Sequence, residues 1–241
     1  MDKSVETFFT KNPEQGYIDQ YEHDHGPRLD SMIERFDLKN IQNQKIVDVG
    51  GGLGFLGKRL NSNNDYTVID GAEIPEDKKL CKGIYHKADL DYDKFSERTN
   101  MHVINVDVHK FPVSDIEFKK VFDKKFDKAF CLETLEHLSN PYHCLVEMKK
   151  LVKENGEIYI SIPHINVTHN YIYPGLMADP QVFAQFLGQM ALPVMEYWLW
   201  SRGWNAHHFK CRNAPWEESN MLFKKDEPKF RGKTPMEYVN L

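Results

Sequence analysis

The stretch Lys45-Ile46-Val47-Asp48-Val49-Gly50-Gly51-Gly52-Leu53-Gly54-Phe55-Leu56-Gly57 constrains this chain more than any other. Ile46, Val47 and Val49 read as a short buried strand, and the glycines behind them as a sharp turn into a helix start. Glycine permits the turn and lets a ligand approach bare backbone, while a helix N-terminus offers free N–H groups and partial positive charge. Gly52, Gly54 and Gly57 satisfy the G-x-G-x-x-G spacing of dinucleotide loops, which alone is a weak mark. Asp48 separates the readings. A fixed carboxylate beside a pyrophosphate repels it, yet suits a ligand bearing an ammonium and a sulfonium, whose own carboxylate is left for the helix N-terminus. The bland alternative is a glycine-rich turn next to a solvated Asp.

A chain of 241 residues buries a sizeable core, and 41% apolar with 28% charged residues is the balance of a globular protein. The expectation is one domain over 1–241. No run of about 18 apolar residues marks a membrane span, and the polar start Met1-Asp2-Lys3-Ser4 has no signal-peptide character, so a cytoplasmic location without membrane contact is expected. Cys81, Cys131, Cys144 and Cys211 form no C-x-x-C pair, which suggests neither zinc nor a disulfide framework. A net charge of −5 argues against bulk binding of nucleic acid.

Along the chain, residues 1–44 read as an N-terminal helical segment, either a surface leader or a lid. Gly26-Pro27 predicts a helix start, with Leu29, Met32, Ile33 and Phe36 on its apolar face. A short helix is expected from Phe55 to Leu60, then a strand Tyr66–Gly71 ending in Asp70, sixteen positions after Gly54. Ligands of open parallel sheets bind beyond the carboxyl ends of the strands, where a carboxylate such as Asp70 accepts ribose hydroxyls. For the third strand, 101–108 is preferred to 84–90 on β-branched content. That choice places Asp107 beside an adenine, with Asp89 in reserve. Phe126–Leu132 is a strand, Ser139-Asn140-Pro141 opens a helix that Asn155-Gly156 stops, and Glu157–His164 is a strand. Pro180–Ala191 and Met195–Trp200 read as helices, and 206–210 with 220–223 as a hairpin. Strand–helix–strand repeats imply a doubly wound sheet, mixed at its end. The aromatic-rich region 165–204 is expected to cap a substrate pocket, or to serve as core or a homodimer face.

Val47-Asp48-Val49-Gly50-Gly51-Gly52-Leu53-Gly54, Asp70, Phe126-Asp127, Cys131-Leu132-Glu133-Thr134-Leu135-Glu136-His137-Leu138 and Gly156 with Ile160-Ser161-Ile162-Pro163 follow one another in an order that resembles the class I S-adenosylmethionine-dependent methyltransferases. The Glu133-to-Leu138 element is most similar to the subgroup of ubiquinone-biosynthesis and other small-molecule methyltransferases. The resemblance implies an α/β, three-layer, Rossmann-like sheet of seven strands, the last antiparallel, with helices on both faces. It implies that Asp48 and the backbone of Gly50, Gly51, Gly52 and Gly54 hold the methionine part of S-adenosylmethionine. Asp70 and Gly71 would hold the ribose, Asp107 and Val108 the adenine edge, and the main chain at Cys131 and Leu132 the amine.

The expected chemistry is methyl transfer to oxygen or nitrogen of a small-molecule acceptor, such as a sugar or biosynthetic intermediate. His137 and His164, past two strand ends, are the candidate general bases. Glu133, Glu136 and His137 share a helical face and are the candidate ligands should a divalent metal bind, the less favoured reading. Other readings kept open are a metal-assisted RNA 2′-O-methyltransferase, an NAD-dependent oxidoreductase, and a non-catalytic S-adenosylmethionine-binding protein.

Overall fold

Strands buried on both faces need cover on both, and alternation along each strand shows how this chain supplies it. In a computed structural model, which describes residues 15–70, 74–87, 125–137, 141–164, 179–202 and 205–217, seven strands form one sheet: β1 (Lys45–Val49), β2 (Asp65–Asp70), β3 (Ile84–Lys87), β4 (Phe126–Leu132), β5 (Val152–Pro163), β6 (Val194–Trp200) and β7 (Ala206–Arg212). Their order is β3-β2-β1-β4-β5-β7-β6. The first five pair in parallel, and β7 lies antiparallel between β5 and β6. The chain thus reverses direction across the sheet between β3 and β4, so the carboxyl ends of β1 and β4 meet at a switch point where such folds bind ligands.

On one face, Val47, Ala129, Cys131, Ile158, Ile160 and Phe209 are covered by α2 (Pro141–Leu151) and α3 (Pro180–Gln189) through Cys144, Leu145, Met148, Phe183 and Leu187. On the other, Ile46, Phe130 and Tyr159 are covered by α1 (Gln15–Arg35) through Leu29, Met32 and Ile33. Phe130 and Tyr159 stack there at 4.6 Å, worth about 0.5–1.5 kcal/mol beyond their burial. Asp179 caps α3, accepting the N–H groups of Gln181 (2.7 Å) and Val182 (3.3 Å) ahead of Pro180. The Lys149 ammonium, buried at the end of α2, donates to Ala191 O, Asn213 Oδ1 and Ala214 O at 2.7–3.0 Å and so ties α2 to the last strands.

Five sequence expectations are corrected. The helix expected at Gly26-Pro27 begins upstream, and Pro27 sits inside α1. The stretch after the glycines is a series of turns and one 3-10 turn, Gly57–Arg59, with no α-helix. Asn155-Gly156 stops no helix: α2 ends at Leu151 and the chain enters β5 at once. The register of β5 with β4 shifts across this stretch, where Asn155 takes a left-handed φ of 61°. The strand beside β2 is 84–87, in register with Thr67–Asp70; 101–108 lies outside the described residues. Finally, Met195–Trp200 is strand β6 and makes the hairpin with β7; 220–223 lies outside the described residues. Tyr197 and Leu199 pack on the α3 side and Trp198 on the α1 side, a two-residue period that aromatic side chains favour in strands.

Candidate active site

The glycine turn is built by contacts that leave no room for side chains except at one point. Gly50 (φ 76°) continues the pairing of β1 with β2, its N–H donating to Ile69 O at 2.7 Å, and a Cβ there would fall inside the Thr134 side chain. A Cβ on Gly51 would meet Asp48 Oδ2 at 2.6 Å. Gly54 (φ 88°) packs against Tyr85 and Cys81. Gly52 differs. Its φ of 51° is left-handed, its N–H donates to Asp70 Oδ2 at 2.8 Å, and nothing lies within 4 Å of where a Cβ would stand. Open space over bare backbone at a switch point is the cradle a ligand needs.

Two carboxylates line it. Asp48, 3% exposed, accepts the Tyr66 hydroxyl and has its carboxyl pushed up to about 7 by burial, against that hydrogen bond and with the charge of Asp70 adding to the rise. Asp70, also buried, anchors Gly52. Such a pair disfavours an anion and is relieved by a cation.

The loop after β4 forms the next wall. Glu133, at a left-handed φ of 51°, is held by Ser161 of β5: its N–H donates to Ser161 Oγ (3.1 Å), whose hydroxyl donates to Glu133 Oε1 at 2.7 Å. The same carboxylate oxygen faces Arg28 Nη1 of α1 at 3.1 Å, and that guanidinium is buried, 1% exposed. Glu136 is wholly buried nearby, its carboxyl raised well above its ordinary range by burial and then by the charge of Glu133. His137 closes the 3-10 turn Leu135–His137, and its side chain is outside what the structure describes. Of the three expected metal ligands, Glu133 gives its Oε1 to Arg28, and no cluster of three ligating side chains occurs among the described residues, to which the His137 side chain does not belong.

Helix α1 spans both walls. Tyr21 stacks on Phe55 of the glycine turn at 4.0 Å. Glu22 pairs with Arg59 and Lys58, and Arg59 Nε donates to Asp30 at 2.8 Å. Seven residues further on from Tyr21, Arg28 reaches β4 and β5. At the carboxyl end of β5, His164 is anchored by its N–H to Asn205 O at 2.9 Å, and burial holds its imidazole below its ordinary pKa. Across the sheet row from Leu132 and Ser161 stands His208, wholly buried and stacked on Trp198 at 4.9 Å.

Of the residues singled out in the sequence, Asp48, Gly50, Gly51, Gly52, Gly54 and Asp70 come together around one turn, and Leu132 and Glu133 abut it through Thr134. Cys131 is buried against α2, so only its main chain lies on the sheet end. Gly71, Asp89, Asp107 and Val108 lie outside the described residues. Of the expected cap 165–204, residues 165–178, 203 and 204 lie outside them as well, while 179–202 supply α3 and β6. Sequence reasoning missed Arg28, Tyr66, Ser161, Tyr197, His207 and His208. Two signals were available. Arg28 lies four residues before Met32, on the apolar stripe of α1, and adjacent histidines in a strand must face opposite layers.

The parallel sheet with one antiparallel strand, and an acid-flanked glycine turn at its switch point, define the class of Rossmann-like methyltransferases. A family profile described as "Methyltransferase domain" matches residues 21–209, and the chain belongs to that family, the class I S-adenosylmethionine-dependent methyltransferases. It is 27% identical over 140 residues to the ubiquinone biosynthesis O-methyltransferase of Hydrogenovibrio crunogenus, covering 58% of this chain and 50% of that one. It is also 27% identical over 137 residues to the tRNA U34 carboxymethyltransferase of Psychrobacter sp., covering 51% of this chain and 35% of that one. The aligned part thus spans between about a third and a half of these relatives' length. The fold matches magnesium protoporphyrin IX methyltransferase of Synechocystis with bound SAH at a TM-score of 0.53 and 10% identity, over 87% of this chain and 91% of that one. A Bacillus halodurans putative methyltransferase matches at 0.52 and 11%, over 78% and 99%. No helix among the described residues is long and apolar enough to cross a membrane.

Proposed function

We propose that this chain transfers a methyl group from S-adenosylmethionine to an oxygen or nitrogen of a small-molecule acceptor. The observation that carries the reading is Gly52: left-handed, tied to Asp70, and open above, with the buried carboxylate of Asp48 beneath the turn. Bound there, S-adenosylmethionine supplies an electrophilic methyl carbon on a sulfonium sulfur. Asp48 favours its cationic part, Asp70 serves the ribose side while fixing the turn, and the main chain of Cys131 and Leu132 closes the base of the site. Tyr21 and Phe55 exclude water from the turn, and α1 keeps the Glu133 loop in place.

His164 is the residue that takes the acceptor's proton as its oxygen or nitrogen attacks. It lies on the ligand side of the sheet and is held neutral by its surroundings near pH 7. Likeness in sequence to ubiquinone biosynthesis O-methyltransferases supports a small acceptor with a hydroxyl. The acidic net charge supports a partner other than nucleic acid. Calorimetric titration with S-adenosylmethionine and with NAD tests the cofactor. Binding of the first and not the second is expected, and the reverse would overturn the reading. Methyl transfer from labelled S-adenosylmethionine to a phenolic and an amine probe tests the acceptor class.

A further inference from the structure

Between α1 and the last strands, at the ligand end of the sheet, lies a layer of polar side chains that the roles above leave unused. His208 is wholly buried, and neither of its ring nitrogens has a hydrogen-bond partner among the described residues. The same holds for the indole nitrogen of Trp200, which is 7% exposed, and for Nε of the buried Arg28. Register brings them together. Leu132, Ser161, His208 and Trp198 stand in one row across β4, β5, β7 and β6, and Pro163, Ala206 and Trp200 form a row two residues nearer the carboxyl end of β5. Alternation puts both rows on the α1 face. There Trp198 stacks on His208 at 4.9 Å and meets Trp200 edge-on at 5.7 Å. From α1, Arg28 Nη1 reaches Ser161 Oγ at 3.4 Å. Ser161 also holds Glu133, so this layer begins where the wall of the cofactor turn ends.

Its charges are already matched. Arg28 faces Glu133. Glu136, with its carboxyl raised well above the ordinary range, is protonated, and His208 is kept neutral by burial first and then by the charges of Arg28 and His207. A ligand carboxylate or phosphate would therefore bring an uncompensated charge into a buried layer. The spare atoms favour a different group. Arg28 Nε–H and Trp200 Nε1–H only donate, while neutral His208 offers one N–H and one bare nitrogen. A hydroxyl answers both kinds: its lone pairs accept from N–H groups, and its hydrogen goes to the bare nitrogen. Leaving these atoms unused costs stability that apolar side chains in the same places would avoid. We propose that Arg28, His208 and Trp200 form the subsite for the methyl acceptor, and that this acceptor is an uncharged molecule carrying a hydroxyl besides the atom that is methylated. The proposal deepens the methyltransferase reading and rests on it. The acceptor lies across the end of β5, with its spare hydroxyl on the α1 side and its reacting atom toward the cofactor. The spare atoms are closed to solvent, so the hydroxyl reaches them only as α1 and the end of β6 part to admit it.

The test is NMR of the indole N–H groups of the four tryptophans in the full chain saturated with S-adenosylhomocysteine, the Trp200 signal being assigned by its loss in Trp200→Phe. The probes are cis-cyclohexane-1,2-diol, an uncharged pair of hydroxyls on an apolar ring, and cis-2-hydroxycyclohexanecarboxylate, which replaces one hydroxyl by a charge. The diol should move the Trp200 N–H downfield saturably with the other three indoles unmoved, and the carboxylate should leave it in place. His208→Leu should weaken the diol about tenfold. Should that variant not fold, Trp200→Phe, which keeps an aromatic ring and removes the N–H, should weaken it similarly, read on the His208 ring protons. A Trp200 signal that stays put, or that answers both probes or moves together with the other indoles, overturns the subsite while S-adenosylhomocysteine still binds. A crystal grown with the diol that holds only an ordered water on Arg28 Nε and His208 overturns it as well. Failure of S-adenosylhomocysteine to bind instead removes the methyltransferase reading on which the subsite rests.

Discussion

The two ends of this sheet are built by different physics. Around β1 and β2 the site is made of backbone: glycines at positive φ, one tied to Asp70, with side chains excluded by Thr134, Asp48 and Tyr85. Around β4, β5, β6 and β7 it is made of buried polar side chains: Arg28 with Glu133 and Ser161 on one face, Tyr197 with His207 and His164 on the other. Backbone geometry tolerates almost no substitution and suits a part of the ligand that never varies. Side-chain networks can be rebuilt residue by residue, and so suit the part of the reaction that differs between enzymes on one fold.

Substitutions aimed at one end should therefore spare the other. The largest effect is expected from Arg28→Met, which strands Glu133 beside Glu136 and removes a buried cation. It should cost about 3–5 kcal/mol of stability, read by denaturant unfolding, while S-adenosylhomocysteine affinity changes less than tenfold in calorimetry. Gly52→Ala should do the opposite. A Cβ at φ 51° with nothing near it strains the fold by only about 1–2 kcal/mol, yet it fills the cradle and should weaken S-adenosylhomocysteine about a hundredfold, roughly 2.7 kcal/mol. If both variants lost stability and affinity in proportion, the division between the two ends would be wrong.

Next in size is a pH effect. Asp48 is raised from 3.8 to about 7 in the fold, so the folded state holds its proton more tightly than the unfolded one. Stability should fall as pH rises from about 4 to 7 and then level. A cationic ligand prefers the ionised form, so its affinity should rise by up to about tenfold per pH unit below 7, with proton release on binding. Calorimetry in buffers of different ionisation enthalpy measures that release, and Asp48→Asn should flatten both dependences. The smallest effect is expected at Glu157, away from both ends. Burial tends to raise its carboxyl, but hydrogen bonds from Lys128 and Tyr159, with Lys210 at 3.1 Å, hold it down to about 2. Its stabilisation is present above pH 4.5 and is lost as pH falls toward 2. The group is partly exposed, so Glu157→Gln should cost only about 1 kcal/mol near neutrality, read by chemical denaturation, with cofactor binding untouched.

The same contrast governs what the sequence reveals. The β1–β2 end is legible because its chemistry is local: Asp48, Gly50, Gly52 and Gly54 are neighbours in the chain, and Asp70 ends the next strand. The opposite end joins residues 28, 133 and 161, or 164, 197 and 207, and sequence spacing carries no trace of such contacts. His164 was visible from its place after a strand, but its neighbour His207 was not, because 195–200 read as a helix and so offered β7 no partner strand there. One register, Leu199 opposite His207, is what brings Tyr197 and His207 together. Arg28 went unnoticed for a related reason: an arginine on an apolar stripe is ordinarily a snorkelling surface residue, and its burial appears only when α1 lies on β4 and β5.

The central claim is that the turn around Gly52 receives a cationic methyl donor. Titrating the wild-type chain with S-adenosylmethionine, and in parallel with NAD, tests it most directly. The account predicts saturable binding of S-adenosylmethionine at pH 8, weaker at pH 6, and no heat from NAD. Saturable NAD binding without any for S-adenosylmethionine would contradict it.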